Sequence, residues 1–270
     1  MGTSQDLRLE LGPLSCSIRP AGLPIPETFV HEAQSFDRPV DLSIHVTHDP
    51  AFRGAPLFEP MRVNSDGQSV TIVAPAFHAT HNLANSKLAI QISAWEHLKL
   101  TLRFFAALTL ARRGYLLVHS AGLLRNGRAY LFIGPSGAGK TTLSELSDAT
   151  GHEVLGTDAT IVGFRGGHPI AWGTFFSSEP DRSSPRGAEL AGCYFIKQAA
   201  RAHLVALPAH ASVSQLQRNT LLMLDGLGRD LAAEIGGVVL DTCMRISRHV
   251  ACGELSFNRS PSFWRLVDNG

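Results

Sequence analysis

One short stretch restricts the fold more than any other: Leu131-Phe132-Ile133-Gly134-Pro135-Ser136-Gly137-Ala138-Gly139-Lys140-Thr141-Thr142. It fits the pattern G-x-x-x-x-G-K-[ST] of a phosphate-binding loop. Glycines let the main chain bend sharply and bring its N–H groups close to a polyphosphate. A helix starting at the end of the bend adds the positive end of its dipole. In this reading residues Gly134, Pro135, Ser136, Gly137, Ala138, Gly139, Lys140, Thr141 and Thr142 form the nucleotide cradle. Lys140 reaches the β- and γ-phosphates, and Thr141 offers its hydroxyl to Mg²⁺.

The flanks match what that mechanism requires. Ala129 to Ile133 reads as a buried strand feeding the loop, and Thr142 to Leu146 as the first turns of a helix behind it. Upstream, an apolar run from Tyr115 to Leu124 is separated from this strand by Arg125-Asn126-Gly127-Arg128. Asn-Gly between two apolar runs is the strongest short-range hairpin signal. The loop strand is therefore expected to pair with an antiparallel neighbour carrying His119, in a mixed sheet and not an all-parallel one. Downstream, Glu153 to Gly156 reads as a short strand ending at Thr157-Asp158, about 18 residues beyond Lys140. Asp158 can be read as a plain carboxylate capping a turn, but its place after an apolar strand favours a metal role. His119 can be a satisfied core histidine or a site residue.

Charge and composition exclude several classes. With 24 basic and 23 acidic residues the net charge is +1, which predicts neither nucleic acid nor an anionic membrane as partner. No apolar run reaches the length of a membrane-spanning helix, and residues 1–10 lack the basic-then-apolar order of an export signal. Cys16, Cys193, Cys243 and Cys252 make no C-x-x-C pair. Scattered thiols of this kind suit a reducing, cytoplasmic setting.

Residues 1–93 are proline-rich with short alternating runs such as Asp41–Val46 and Ser69–Ala74, and are expected to form a smaller β-rich domain that recruits a substrate or partner. Residues 94–270 are expected to form the nucleotide-binding domain. The period changes at 94–113, where Trp95, Leu98, Leu102, Phe105, Ala106, Leu108 and Leu110 mark an apolar helical face closed by Arg112-Arg113-Gly114. Thr160–Phe164 and His168–Trp172 read as a hairpin around Gly166-Gly167. Leu190–Ile196 reads as a buried strand, with His203–Leu207 pairing with it. Ser212 to Gln215 has the form of a capping box opening a helix through Leu224. A second helix is expected from about Asp230 to Ser247, a strand over Gly253–Phe257, and a closing helical turn over Pro261–Val267.

Taken together, His119-Ser120-Ala121-Gly122, the Asn-Gly hairpin, the 134–144 run Gly-Pro-Ser-Gly-Ala-Gly-Lys-Thr-Thr-Leu-Ser and the acidic strand end at Asp158 resemble the C-terminal domain of HPr kinase/phosphorylase and its relatives. That group shares its P-loop core with ATP-dependent phosphoenolpyruvate carboxykinase. Trp172 to Glu179 is similar to a Gly-Thr-Pro-Phe-x-Gly-Glu segment of HPr-kinase-related proteins, and Leu255-Ser256-Phe257 with Ser262-Phe263-Trp264 to their C-terminal end. The resemblance spans roughly residues 96–268. It implies an α/β fold with a mixed-sheet P-loop kinase core, ATP and Mg²⁺ as cofactors, and often a homo-oligomer. It implies that Lys140, Asp158, His119 and Glu179 serve catalysis and that Thr141 and Asp158 hold the metal. The pattern departs at three positions. Thr157 stands where the first carboxylate of an Asp-Asp pair is expected, Phe175 where a proline is, and Ser178 where a glycine is. A hydroxyl cannot accept a proton at neutral pH as a carboxylate does, so Asp158 would carry both duties.

The activity implied is an ATP-dependent phosphotransferase moving the γ-phosphoryl group to a hydroxyl, by analogy a serine, of a protein, peptide or small molecule. A catalytically weak ATP-binding sensor or assembly module is the alternative, and Thr157 favours it. Carboxykinase chemistry ranks last, because the chain is short for it and no arginine-rich segment precedes His119. Among lesser candidates, Arg182 and Arg186 can meet a transferred phosphate or be solvated loop charges, as can Lys197 and Arg201. His45/His48 and His78/His81 repeat a His-x-x-His spacing, but on strands residues i and i+3 face opposite sides, which argues against zinc. Trp95, Trp172 and Trp264 read as core or edge aromatics.

Overall fold

The computed structural model describes residues 6–21, 38–49, 52, 61–176 and 184–269. The chain is mixed α/β, with two sheets that each combine parallel and antiparallel pairs. It divides into two compact units, Met1–Leu108 with Met223–Gly236, and Thr109–Leu222 with Gly237–Gly270. The division runs inside a helix, between Leu108 and Thr109, and not in the loop ahead of it near residue 93. No break in helical character between 95 and 112 marks a boundary there.

In the first unit the strands are β1 (Leu7–Leu11), β2 (Leu14–Ala21), β3 (Leu42–His48), β4 (Arg62–Ser65), β5 (Ser69–Ala74), β6 (Phe77–Asn82) and β7 (Lys87–Ile92). They form one sheet in the order β1-β2-β3-β7-β6-β5-β4, with β2, β3 and β7 mutually parallel. Strict alternation makes one face apolar: Leu42, Ile44 and Val46 of β3 are buried, as are Leu88, Ile90 and Ile92 of β7. The same alternation separates His78 from His81. His81 is buried with its ring edge-on to Phe105, and His78 faces the other way toward the Gln91 side chain.

Helix α1 (Trp95–Arg112) follows. It ends as the sequence predicts: Tyr115 N–H bonds the Leu110 carbonyl and Gly114 N–H that of Ala111, the paired bonds of a Schellman stop. Its second half is buried beyond the expected stripe, since Ala107, Thr109 and Ala111 are covered as well as Phe105 and Leu108.

The second unit contains β8 (Leu116–Val118), β9 (Ser120–Arg125), β10 (Arg128–Ile133), α2 (Lys140–Asp148), β11 (Glu153–Gly156), β12 (Thr160–Arg165), β13 (His168–Trp172), β14 (Gly187–Gln198), β15 (His203–Ala206), α3 (Ala209–Asn219), β16 (Ala251–Phe257) and α5 (Phe263–Asn269). Helix α4 (Arg229–His249) spans the division, which falls between Gly236 and Gly237. The sheet runs β11-β9-β10-β14-β13-β12-β8, with β16 on the later half of β14 and β15 beyond β16. The β9–β10 hairpin turns at Asn126 (φ 52°) and Gly127 (φ 75°), the two left-handed positions a two-residue turn requires. Strand β10 then pairs parallel with β14, and β14 parallel with β16.

Two sequence expectations fail here. β15 pairs with β16 and not with β14, because both edges of β14 are already taken by β10 and β16. Helix α3 starts at Ala209 after an extended Pro208 and stops at Asn219, so Ser212 is no cap. Its hydroxyl instead bonds back to the Pro208 carbonyl, a bond open to serine inside a helix.

One face of this sheet packs Ala121, Leu123, Phe132, Leu143, Tyr194, Ile196, Leu255, Phe257, Phe263 and Trp264 together. Phe132 meets Phe263 and Trp264 edge-on at 5.6 and 5.5 Å. Trp264 donates to the Ser147 hydroxyl, and Arg125 lies 4.9 Å over its ring, so it acts as a core aromatic. Phe132→Ala empties the centre of this layer and is expected to cost about 3–5 kcal/mol. The shift of the urea midpoint of the second unit's transition measures it; a loss under about 1 kcal/mol would show that Phe132 is not the centre of the packing.

Candidate functional site

The bend between β10 and α2 is built on glycines with a left-handed main chain. Gly137 has φ 79° and Gly139 φ 105°. Gly139 is the N-cap of α2, and among the described residues no side chain caps that first turn. Pro135, Ser136 and Gly137 are exposed, so the outer arc of the bend faces solvent. From beneath, the bend is held by the sheet. A Cβ on Gly139 would lie 2.5 Å from the Phe257 ring, and the Gln198 amide donates to the Gly137 carbonyl at 3.2 Å. Lys140 is only 6% exposed, and its ammonium donates to the carbonyls of Gly134 and Pro135 at 2.8 and 2.9 Å. The cation is thus held inside the turn. Thr141 is exposed on the first turn of α2, and Thr142 is half-buried.

This arrangement fits a polyphosphate with its divalent cation. A glycine bend closing on a helix N-terminus with Gly139 as its N-cap, an ammonium at its root and an exposed hydroxyl beside it make up the donor set such a ligand uses.

The sheet register brings two further predicted residues to the same end as the bend. Ser120, at the start of β9, is opposite Ile133 at the end of β10. His119 therefore lies beside Gly134, and the Gly134 N–H donates to its carbonyl at 3.4 Å. His119 in turn donates its N–H to the Asn219 carbonyl at 2.8 Å, and Val118 bridges Thr220. β11 runs antiparallel to β9 with Gly156 opposite Gly122. Its carboxyl end, followed by Thr157 and Asp158, lies at the His119 end of β9. β12 begins at Thr160 opposite Val118, which leads to the same place. Asp158 is half-buried and Thr157 is buried, at 1% exposure.

Other candidates do not converge on the bend. Glu179, Ser178 and Arg182 lie outside the described residues. Phe175 is buried and stacks on Phe176 at 4.6 Å between centroids. Arg186 pairs with Glu153 at 3.1 Å, and Lys197 pairs with Glu254. Both fit the reading of solvated charges.

Three residues to which sequence reasoning assigns no part in the site frame the bend: Gln198, Phe257 and Asn258. With Thr142, Ala199 and Arg259 they line a cleft of about 320 Å³. It opens at the carboxyl ends of the parallel strands β14 and β16, where open α/β sheets place their ligands. The Asn258 Oδ1 atom is buried and has no hydrogen-bond partner among the described residues. The signal in the sequence is a polar residue at the carboxyl end of one buried strand, Gln198, and one just past the end of another, Asn258.

No family model and no curated protein matches the chain. Among solved structures it is similar to one titled "Structure of the Hpr(Ser) kinase/phosphatase from Coxiella burnetii". The identity is 11%, with 57% of this chain and 94% of that chain covered, and the TM-score is 0.34. At that identity and TM-score the likeness assigns neither a residue nor an activity.

The support beneath the bend makes a differential prediction. At Gly137 nothing among the described residues lies within 4 Å of an added Cβ, so Gly137→Ala carries only backbone strain, about 1 kcal/mol. Gly139→Ala adds a collision with Phe257 and is expected to cost roughly 3 kcal/mol. Equal shifts of the thermal midpoint in the two variants would contradict the packing of Phe257 under Gly139.

Proposed function

We propose that the chain is an ATP-dependent phosphotransferase that binds its nucleotide on residues 134–142 and moves the γ-phosphoryl group to a hydroxyl. The observation that carries this reading is the glycine bend with the Lys140 ammonium at its root. His119 and Asp158 follow at the same end of the sheet by register. The main-chain N–H groups of the bend hold the phosphates, and Lys140 exchanges its loop carbonyls for the β- and γ-phosphate oxygens. A bound Mg²⁺ would supply charge neutralisation and in-line alignment of the transferred group. Thr141 and Asp158 provide hard oxygen ligands for it. Asp158 also draws the proton from the acceptor hydroxyl, a duty it bears alone because Thr157 has no carboxylate. His119 contacts phosphate oxygens. Glu179 serves the acceptor side. The nucleoside lies toward Thr142 in the cleft, beside Asn258.

The acceptor is a serine hydroxyl of a protein, peptide or small molecule, recruited by residues 1–93. The protein works in the cytoplasm, as a homo-oligomer. A second reading, an ATP-binding sensor with little turnover, is favoured by one observation: the buried hydroxyl of Thr157 where the chemistry calls for a second acid.

Separate measurements of ATP binding and of γ-labelled phosphate transfer to a lysate discriminate the two. Transfer to a discrete acceptor supports the kinase; tight binding with no transfer to any acceptor supports the sensor. Lys140→Ala is expected to weaken ATP binding or turnover by about ten-fold or more, and unchanged affinity and rate would rule out the bend as the nucleotide site. Asp158→Asn is expected to lower turnover by about a hundred-fold while changing ATP affinity far less. Equal loss of both would contradict its role.

A further inference from the structure

Three of the four cysteines, Cys193, Cys243 and Cys252, lie in the second unit, and the phosphotransfer reading uses none of them. Two are direct partners in the sheet. Cys193 of β14 and Cys252 of β16 stand opposite each other in a parallel pair. Neighbouring strands lie about 4.8 Å apart, inside the roughly 4.4–6.8 Å that a disulfide spans between Cα atoms. Side chains at paired positions point to the same face of a sheet. Tyr194, Ile196 and Leu255 go to the aromatic layer on one face, so both cysteines turn to the other.

Their surroundings differ in a way that sets a direction. Cys193 is fully buried, whereas Cys252 is half-buried. The Cys252 thiol donates to the Val250 carbonyl at 3.5 Å, and its polar neighbours include the Cys193 thiol and the hydroxyl of Ser212, from the first turns of α3. These two hold the Cys252 thiol below its usual range against the opposing effect of burial. The neighbouring Cys252 thiol and burial push Cys193 well up, and burial alone pushes Cys243 up to about 12. Cys252 is therefore the nucleophile of the group and Cys193 the adjacent thiol.

We propose that Cys252 and Cys193 form a dithiol site that a hydroperoxide oxidises to a disulfide across β14 and β16. The Cys252 thiolate attacks the terminal oxygen of the peroxide. The O–O bond breaks, and the leaving oxygen departs as an alcohol or as water after taking up a proton. Cys252 is then a sulfenic acid. Cys193 loses its proton and attacks the Cys252 sulfur, the S–O bond breaks and water leaves. Two thiols have supplied two electrons to one peroxide.

The test exposes the reduced full-length chain to hydrogen peroxide or, in parallel, to cumene hydroperoxide. It then blocks remaining thiols with iodoacetamide and maps all four cysteines by mass spectrometry. The expected result is a Cys193–Cys252 linked peptide lighter by two hydrogens, reversed by dithiothreitol. Cys16 and Cys243 are oxidised about ten-fold more slowly. Cys193→Ser should stop the reaction at a dimedone-reactive sulfenic acid on Cys252; if that variant does not fold, the map of the native chain decides. Oxidation spread evenly over the four cysteines, or a Cys252 carried on to sulfinic acid beside an intact Cys193 thiol, would overturn the proposal. Faster reaction with cumene hydroperoxide names an organic peroxide as the oxidant; faster reaction with hydrogen peroxide names the aqueous one. Either ranking supports the dithiol, provided the linked peptide forms.

Discussion

The hydrogen bonding of β10 on both edges is the constraint from which the site follows. On one edge it has β9, antiparallel through a two-residue turn, and on the other β14, parallel. Ala129, Leu131, Phe132 and Ile133 are fully buried, so the strand cannot slip by one residue without turning core side chains toward the wrong face. The bend that follows must therefore leave the sheet at one defined point. The antiparallel neighbour has a second effect: its start is opposite the end of β10, so the turn carrying His119 arrives beside Gly134. An all-parallel sheet would place the start of that neighbour at the far end.

From this geometry the bend gains a floor. β14 and β16 run parallel to β10, so their carboxyl ends come up alongside it, with Gln198 at the end of one and Phe257 at the end of the other. The Gln198 amide takes one loop carbonyl and the Phe257 ring fills the space that a side chain on Gly139 would occupy. Lys140 satisfies two more carbonyls from within. The bend is thus held from the protein side while its outer arc faces solvent, the preorganisation that phosphate binding uses. The same parallel pairing sets Cys193 opposite Cys252.

Local features are legible in the residues themselves. The Asn126-Gly127 turn, the stop of α1 at Gly114, the hairpin at Gly166-Gly167 and the period-two strands β3 and β5 depend on residues a few positions apart, and all are present. Non-local pairing is less legible. Proximity in sequence points β15 toward β14, yet β16, some fifty residues later, occupies that edge. Ser212 carries the letters of a cap, but the preceding Pro208 already starts the helix. Gln198, Phe257 and Asn258 go unmarked as site residues in the sequence because each is ordinary in its own segment and significant only where β10, β14 and β16 end together.

By itself, the sequence determined the bend, the element on either side of it and the hairpin that feeds it, because glycine conformation, helix starts and tight turns are set within a few residues. Tertiary structure alone decided which strands flank β10, which end of the sheet receives His119 and Asp158, and what stands under Gly139. Those outcomes depend on the competition of distant strands for the same edge hydrogen bonds, a competition that local residue patterns do not encode.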